Sequence, residues 1–335
     1  MTALRFKFAA GVIAVTLTAC AVGPDHKKPE PASPDDWSTW RSSDESLHAP
    51  VAVSETLQPQ WWRAFNDPVL DRLQQRAIES SPDLMTAALH FAQARTQLTG
   101  AAARQLPELS LTGSVARQAQ SENNSGMRLL DVIGVPNRDE LARLIAEPFT
   151  YYQAGFDLSW ELDLWGRVRR SIESADADLE RQAALLDLAR LGLASDVARN
   201  YFELRTTQKQ IKLMREDIAA LEDRLSLLEA RANAGVIDYY DLERQRAETA
   251  GLRAQLPSLL AQEAVSANRI ALLLGERPGA LRSELTSTAT DLRASLPDLA
   301  LGLPSEVARR RPDIRAAEAR LHTATANIGV ATANL

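Results

Sequence analysis

The chain has 335 residues, of which 45% are hydrophobic, and a formal net charge of -6. This length suffices for one or two domains, and a mildly acidic balance without a basic block argues against nucleic acid as a partner. The chain has four widely spaced histidines and a single cysteine, so no metal-ligand spacing can be assembled. It contains no phosphate-binding glycine-rich loop and no GxSxG motif. We therefore predict no cofactor, no metal and no enzymatic activity.

The first twenty residues predict export and lipidation. Two basic residues, Arg5 and Lys7, precede an apolar run that closes at Leu17. The proportions fit a secretory signal, and the run is too short to span a bilayer. A small residue then precedes the only cysteine, Cys20, and this pattern is similar to a bacterial lipobox. We expect residues 1–19 to be a signal peptide and Cys20 to be acylated; the alternative is a plain signal peptide with an incidental cysteine.

A proline-rich segment and two helices are expected next. Residues 20–60 contain six prolines and predict an extended tether from the lipid to the first packed element. Asp67 and Pro68 are typical of an N-cap and the first helical position after it. An alanine-rich helix is expected from Pro82 to about Arg104.

Two segments with a period of two predict strands. Residues 109–115 alternate between apolar and polar, and residues 154–164 do so over eleven positions, about the length of a tilted membrane strand. The polar stretch 119–147 between them is predicted to be a long outer loop. A water-soluble sheet with one face on a core is the alternative, but two strands do not form a soluble sheet that stands alone.

A long helical hairpin follows the second strand. From Val168 to Ala232 there is no proline, and apolar residues recur every seven positions. A helix of this length would extend about 100 Å, which is typical of a coiled coil. Gly235 marks the turn, and a return helix is expected to about Leu274, with Gly275 as its stop. We predict an antiparallel hairpin with its tip at Gly235.

A partial repeat appears near the end of the chain. Pro312-Asp313 echoes Pro82-Asp83 at an offset of 312 − 82 = 230, and each pair opens an alanine-rich helix. In the first copy such a helix precedes the strand pair. We therefore expect a second strand pair and hairpin to belong beyond residue 335, which predicts a fragment or a truncated product.

Four blocks of sequence, in order, resemble the outer-membrane efflux lipoproteins related to TolC and OprM. The specific blocks are W-E-L-D-L-W-G-R from Trp160 and R-R-P-D-I from Arg310. W-W from Trp61 and L-L-L-G-E-R-P-G from Leu272 complete the set. The residue after the cysteine, Ala21, resembles the outer-membrane sorting pattern of Gram-negative lipoproteins.

The resemblance implies the fold, location and partners of the protein. The implied fold is mainly α, with a long antiparallel helical hairpin, a segment of an α-barrel, joined to a transmembrane β-hairpin of a trimeric β-barrel. The implied partners are two further subunits of a homotrimer, outer-membrane lipid, a periplasmic adaptor (membrane fusion protein) and an inner-membrane efflux pump. The lipid-anchored protein would lie in the outer membrane and extend into the periplasm.

The predicted domain boundaries follow from these elements. They are a signal peptide (1–19), a lipidated tether (20–60), equatorial and first barrel helices (61–105), a membrane strand pair with a long outer loop (106–166), the helical hairpin (167–275), and an equatorial segment with the start of a truncated second repeat (276–335).

The alternation and the resemblance together assign site residues. The side chains expected to face lipid are Phe156, Leu158, Trp160 and Leu162. Those expected to face the lumen, where carboxylates would favour cations, are Asp157, Ser159, Glu161 and Asp163. For Glu161 and Asp163 the alternative is capping or pairing with arginines at the strand-to-helix junction. The adaptor is expected to dock at the hairpin tip, at Gly235, Val236 and Asp238.

The predicted function is a passive exit duct for small molecules or drugs exported by the pump. The alternatives are a periplasmic coiled-coil lipoprotein acting as adaptor or scaffold, and a non-conducting truncated product. The sequence does not identify the exported compounds.

Overall fold

The computed structural model describes seven stretches of the chain, which are residues 21–30, 51–52, 60–121, 125–134, 136–287, 299–300 and 304–335. They fall into two compact units. The first, here called the strand unit, comprises described residues within 1–23, 99–172 and 328–335. The second, the helical unit, comprises those within 24–98 and 173–327.

The described helices and strands follow one another in a simple order. They are β1 (Val51–Ala52), a 3-10 helix (Trp61–Phe65), α1 (Pro68–Ser80), α2 (Pro82–Ala103), β2 (Glu108–Gln118), α3 (Ser125–Ile133), α4 (Arg138–Ala146), β3 (Phe149–Ser159), α5 (Arg167–Asn233), α6 (Tyr239–Leu273), α7 (Arg282–Ser287), β4 (Leu299–Ala300), α8 (Pro304–Arg310) and α9 (Pro312–Ala333). β2 pairs with β3 in antiparallel fashion, and β1 pairs with β4 in parallel.

Helix α1 begins as its sequence predicts. The Asp67 carboxylate accepts hydrogen bonds from the backbone N–H groups of Val69 (2.8 Å) and Leu70 (3.2 Å), which satisfies two donors that the first turn leaves open. Pro68 occupies the first helical position, where its missing N–H costs nothing. The predicted N-cap is confirmed.

The core of the helical unit lies where α1 meets the two long helices. Its buried apolar residues from these three helices include Leu70, Leu73, Val197, Tyr201, Leu204 and Ile270. Leu281 and Leu285, from the segment that follows α6, are buried in the same core. A buried polar bond crosses this core, because Gln74 Nε2 donates to the Ala194 carbonyl at 2.8 Å.

Helices α5 and α6 form the predicted antiparallel hairpin. Side-chain ion pairs join Glu229 to Arg246 and Glu222 to Arg253. The two pairs are seven residues apart on each helix and run in opposite chain directions, which defines an antiparallel register. The seven-residue stripe on α5 is buried at Val197, Leu204, Ile211 and Ile218, and is half-buried at Leu225 near the tip. α6 continues through Pro257.

Glycines end both long helices. At Gly275 (φ +71°) the Glu276 N–H bonds the Ala271 carbonyl at 2.8 Å, and the Gly275 N–H bonds Leu272 at 3.0 Å. This pair of bonds is the Schellman motif, whose left-handed residue favours glycine. Gly235 (φ +69°) ends α5 in the same way. The predicted stop at Gly275 and the predicted turn at Gly235 are both present.

The partial repeat is visible as two helices of equal length. α2 and α9 each contain 22 residues. Their first residues differ by 312 − 82 = 230 and their last by 333 − 103 = 230. The echo in sequence therefore corresponds to repeated structure.

Two expectations about the strand region are wrong. The second strand ends at Ser159, so Trp160, Glu161, Leu162, Asp163 and Leu164 lie beyond it. The stretch 119–147 is not a plain loop, because it contains α3 and α4. Ala142 of α4 is buried. None of the helices in the described part of the chain is both long enough and apolar enough to cross a membrane.

Candidate functional site

The register of β2 and β3 produces two chemically different faces. Leu109 lies opposite Leu158, Leu111 opposite Phe156, and the pairing continues without interruption over eleven residues of each strand. Because successive side chains point to opposite faces, one face is apolar over the eight pairs from Glu108–Ser159 to Val115–Tyr152 and is formed by Leu109, Leu111, Gly113, Val115, Tyr152, Ala154, Phe156 and Leu158. The other is polar and is formed by Glu108, Ser110, Thr112, Ser114, Gln153, Gly155, Asp157 and Ser159.

The apolar face is uncovered in this single chain. Leu111 is 85% exposed and Phe156 75% exposed, although they lie opposite each other at mid-strand. A contiguous exposed apolar surface of this kind marks contact with a membrane or another protein. An isolated two-stranded sheet in water would be only marginally stable. This face therefore has the character of a surface that contacts a membrane or another protein.

The polar face carries two carboxylates near one end. Asp157 lies opposite Ser110, and Glu108 lies opposite Ser159, so the two acids are diagonal neighbours on the same face. The sequence prediction does not include Glu108, because this residue directly follows Pro107 and the predicted strand begins at Leu109. The signal was present, since Glu108 continues the polar period of Ser110 and Thr112.

The strand-to-helix junction uses Glu161 and Asp163 in another way. Glu161 forms a two-point ion pair with Arg167. Asp163 accepts hydrogen bonds at 2.9 Å from the backbone N–H groups of Val168 and Arg169 and thereby caps α5. These contacts correspond to the capping and pairing alternative. Because β3 ends at Ser159, strand alternation does not place Trp160, Glu161, Leu162 or Asp163 on either face. For Phe156, Asp157, Leu158 and Ser159, contact with lipid or lumen stays a prediction.

The hairpin tip presents a compact, exposed turn. Asp238 caps α6 by accepting a hydrogen bond from the Tyr240 N–H at 3.1 Å. Val236 is 71% exposed, and the side chains of Tyr239 and Tyr240 are exposed beside it. Open space surrounds Gly235, where an added Cβ would meet nothing within 4 Å. The tip thus offers apolar and aromatic side chains on a backbone fixed by the Schellman motif at Gly235 and the Asp238 cap of α6.

Cys20 lies outside the described residues, which begin at Ala21. Within the stretches that the structure describes, no three His, Cys, Asp or Glu side chains are grouped so as to hold a metal ion.

Comparison with known proteins agrees with this arrangement of two-faced strands and long hairpin. The family model described as "Outer membrane efflux protein" matches residues 73–276. The chain therefore belongs to the outer membrane efflux protein family.

Individual relatives show how much of such a protein the chain covers. It is similar to Nodulation protein T of Rhizobium leguminosarum bv. trifolii, with 30% identity over 316 residues, 94% of this chain and 62% of that protein. It is also similar to the pyoverdine export outer membrane protein OpmQ of Pseudomonas aeruginosa, with 34% identity over 262 residues, 78% of this chain and 52% of that protein. The chain spans less than two thirds of the length of these relatives.

A solved structure supports the fold. The outer-membrane channel OprN matches with a TM-score of 0.75 and 31% sequence identity, over 94% of this chain and 65% of that one. The predicted fold class, mainly α with a long antiparallel helical hairpin and a strand pair, is confirmed.

Proposed function

We propose that this chain contributes to a passive exit duct in the outer membrane, through which small molecules or drugs exported by an inner-membrane pump leave the cell. The observation that carries the proposal is the register of β2 and β3, which gives one apolar and one polar face along the eight pairs from Glu108–Ser159 to Val115–Tyr152. In a closed barrel the apolar face would contact lipid and the polar face would line water. Family membership and the likeness to an outer-membrane channel support the same function.

A duct of this kind works by shape and charge and needs no catalytic group. Phe156 and Leu158 would contact lipid, and Asp157 and Ser159 would line the lumen together with Glu108. Fixed carboxylates in a pore raise the local concentration of cations and oppose anions. We therefore expect a preference for cations.

The assembly is proposed to be a homotrimer anchored by lipid at Cys20. A sheet edge exposed to hydrocarbon leaves backbone N–H and C=O groups unpaired, and each unpaired group costs several kcal/mol. A single strand pair therefore cannot stand alone in a membrane. Joining of subunits around a common axis would supply the missing strand partners. Two or more acyl chains on one residue hold a protein firmly to a membrane.

The hairpin tip is proposed to dock a periplasmic adaptor. Gly235, Val236 and Asp238 form the turn, and its exposed valine and tyrosines offer an apolar contact for a helical hairpin of the adaptor. The adaptor would in turn connect the duct to an inner-membrane efflux pump.

The test is conductance of the purified protein. Protein extracted from the outer membrane in mild detergent is expected to run as a trimer and to raise ion conductance in planar lipid bilayers. A monomer without conductance would contradict the duct and would favour a periplasmic coiled-coil lipoprotein that acts as adaptor or scaffold. Trimers without conductance would indicate a non-conducting product.

A further inference from the structure

The strand unit holds residues 21–23, the start of the tether, in a tight socket. The socket is formed by Trp165, Gly166, Arg170 and Gly329. Arg170, only 5% exposed, donates from Nε to the Val22 carbonyl at 3.2 Å and from Nη2 to the Gly23 carbonyl at 3.3 Å. The Val22 N–H donates to the Trp165 carbonyl at 3.2 Å. Hydrogen bonds from a charged donor are among the stronger ones, and a buried guanidinium depends on them. Residues 22 and 23 are therefore held through their backbone carbonyl and N–H groups.

Three glycines make this close approach possible. A Cβ added at Gly166 would lie 2.8 Å from Ala21 Cα, and one at Gly23 would lie 2.5 Å from Gly329 Cα. A Cβ at Gly329 would lie 2.8 Å from Arg170 Cγ. Gly23 and Gly166 also have φ of +97° and +82°, which favour glycine. The socket is thus built for backbone at 21–23, and any larger residue at these glycines would open it.

Exposed apolar side chains lie in the segment that forms one wall of the socket. Trp160, Leu162, Leu164 and Trp165 are all more than half exposed. The Trp160 indole is fixed, since its Nε1 donates to the Gln105 carbonyl at 3.1 Å. Indoles with an apolar ring and one satisfied N–H are typical of the boundary between membrane and water.

We propose that this socket fixes the point at which the lipid on Cys20 leaves the protein, with the exposed tryptophans beside it. One peptide unit separates Cys20 from Ala21, so the attachment point is within about 4 Å of the socket along the chain. A free flexible tether of some forty residues would instead let the anchor move over about 35 Å. Arg170 is a positioning residue here, and the partner is the acyl chains of Cys20 together with the adjoining lipid leaflet. The inference rests on the proposed lipidation of Cys20.

A matched pair of glycine substitutions tests the socket. Gly329→Ala places a methyl group against Arg170, whereas Gly192→Ala places one in open space on a helix. The readout is hydrogen exchange at the Val22 amide in the mature protein in detergent, with the mass of the Cys20 peptide measured in the same samples. We expect the amide to be protected in the unaltered chain and in Gly192→Ala, and to exchange about tenfold faster or more in Gly329→Ala.

The outcomes separate this inference from the proposed function. A lipid-bearing Cys20 with an unprotected Val22 amide, or equal exchange in both variants, would overturn the socket and leave the lipid anchor intact. A Cys20 peptide without lipid would overturn the anchor itself. Neither outcome bears on conductance, which is measured separately.

A second measurement uses the fact that Cys20 is the only cysteine. In a chain expressed without residues 1–19, a bimane attached to its thiol is expected to be quenched by the nearby tryptophans. Quenching should be lost in Trp165→Phe combined with Trp160→Phe and in Gly329→Ala, and kept in Gly192→Ala. Absence of quenching in the unaltered chain would contradict the proposed position.

Discussion

The hydroxyl group of Tyr201 donates a 2.5 Å hydrogen bond to Asp67, the residue that caps helix α1. Tyr201 is fully buried at the centre of the helical core. One carboxylate thus caps a short helix with one oxygen and ties that helix to the long helix α5 with the other. The cap and the packing of α1 against the hairpin are therefore coupled.

This contact predicts a loss of stability at alkaline pH. Burial, followed by the hydrogen bond to Asp67, raises the pKa of Tyr201 from its ordinary value of 10.0 to about 12. A group whose pKa is raised on folding stabilises fully below its unfolded pKa, and this stability is lost as the pH rises through the folded pKa. The thermal unfolding midpoint should fall between pH 10 and 12, and fall less in Tyr201→Phe. An identical pH dependence in both proteins would contradict the coupling.

The same pair predicts non-additive substitutions. Asp67→Ala removes the cap and leaves a buried hydroxyl without its acceptor, so we expect a loss of about 2 kcal/mol or more. Tyr201→Phe should cost about 1 kcal/mol, and the double variant less than the sum of the two, because residues in contact share their interaction energy. Chemical unfolding followed by circular dichroism gives the unfolding free energies of the two single variants and the double variant. If the two single losses simply add in the double variant, the two residues do not share a stabilising bond.

Two glycines with the same backbone geometry are expected to respond differently to alanine. Both Gly235→Ala and Gly275→Ala force a left-handed residue, at about 1 kcal/mol. Gly275→Ala also places a Cβ 2.9 Å from the Ser80 carbonyl oxygen, whereas nothing lies near Gly235. The loss of unfolding free energy should therefore be clearly larger at Gly275. Equal losses would show that the contact with the end of α1 relaxes without cost.

Neighbouring lysines on β2 test the assignment of the two faces. Leu111→Lys puts a charge on the apolar face, which costs about 2–4 kcal/mol near the middle of a bilayer. Thr112→Lys, the next residue, puts the same charge on the polar face and should be tolerated. The amount of folded protein in the outer membrane measures the difference. Equal tolerance of both lysines would mean that the apolar face does not contact lipid.

Two aspartates close in sequence are expected to act separately. Asp157→Ala removes a charge from the polar face and should lower the preference for cations over anions in a bilayer, without a change in stability. Asp163→Ala removes the cap of α5 and should lower the unfolding free energy by about 1–2 kcal/mol with little change in selectivity. The cation-to-anion permeability ratio and the thermal unfolding midpoint are measured for both variants. A selectivity change confined to Asp163→Ala would contradict the placement of Asp157 on the pore-lining face.

The helices could be predicted from sequence because their signals are local. Absence of proline, a seven-residue apolar period and a terminal glycine all act within a few turns, and α5 ends at Asn233, one residue beyond the predicted Ala232. The repeat of α2 in α9 could be predicted because its signal is also local: each helix begins with Pro-Asp.

The strand end and the socket could not be predicted in this way. The period of two continues through Leu162 and Leu164 although the strand has ended, because Asp163 is used to cap the next helix. The contact between Gly23 and Gly329 joins residues more than three hundred positions apart, and no local sequence pattern predicts it. Helices α3 and α4 were missed because each contains only nine residues.

The paired charges of the hairpin have a consequence for how far the protein reaches. Between the bonds of Glu229 with Arg246 and of Glu222 with Arg253, each arm advances by one heptad. Removing or adding seven residues in both arms at this level would keep every remaining pair in step, with the core around Tyr201 and the turn at Gly235 untouched. The separation of turn and core is thus set in increments of about 10 Å, and the hairpin can be lengthened or shortened by symmetric insertion or deletion alone.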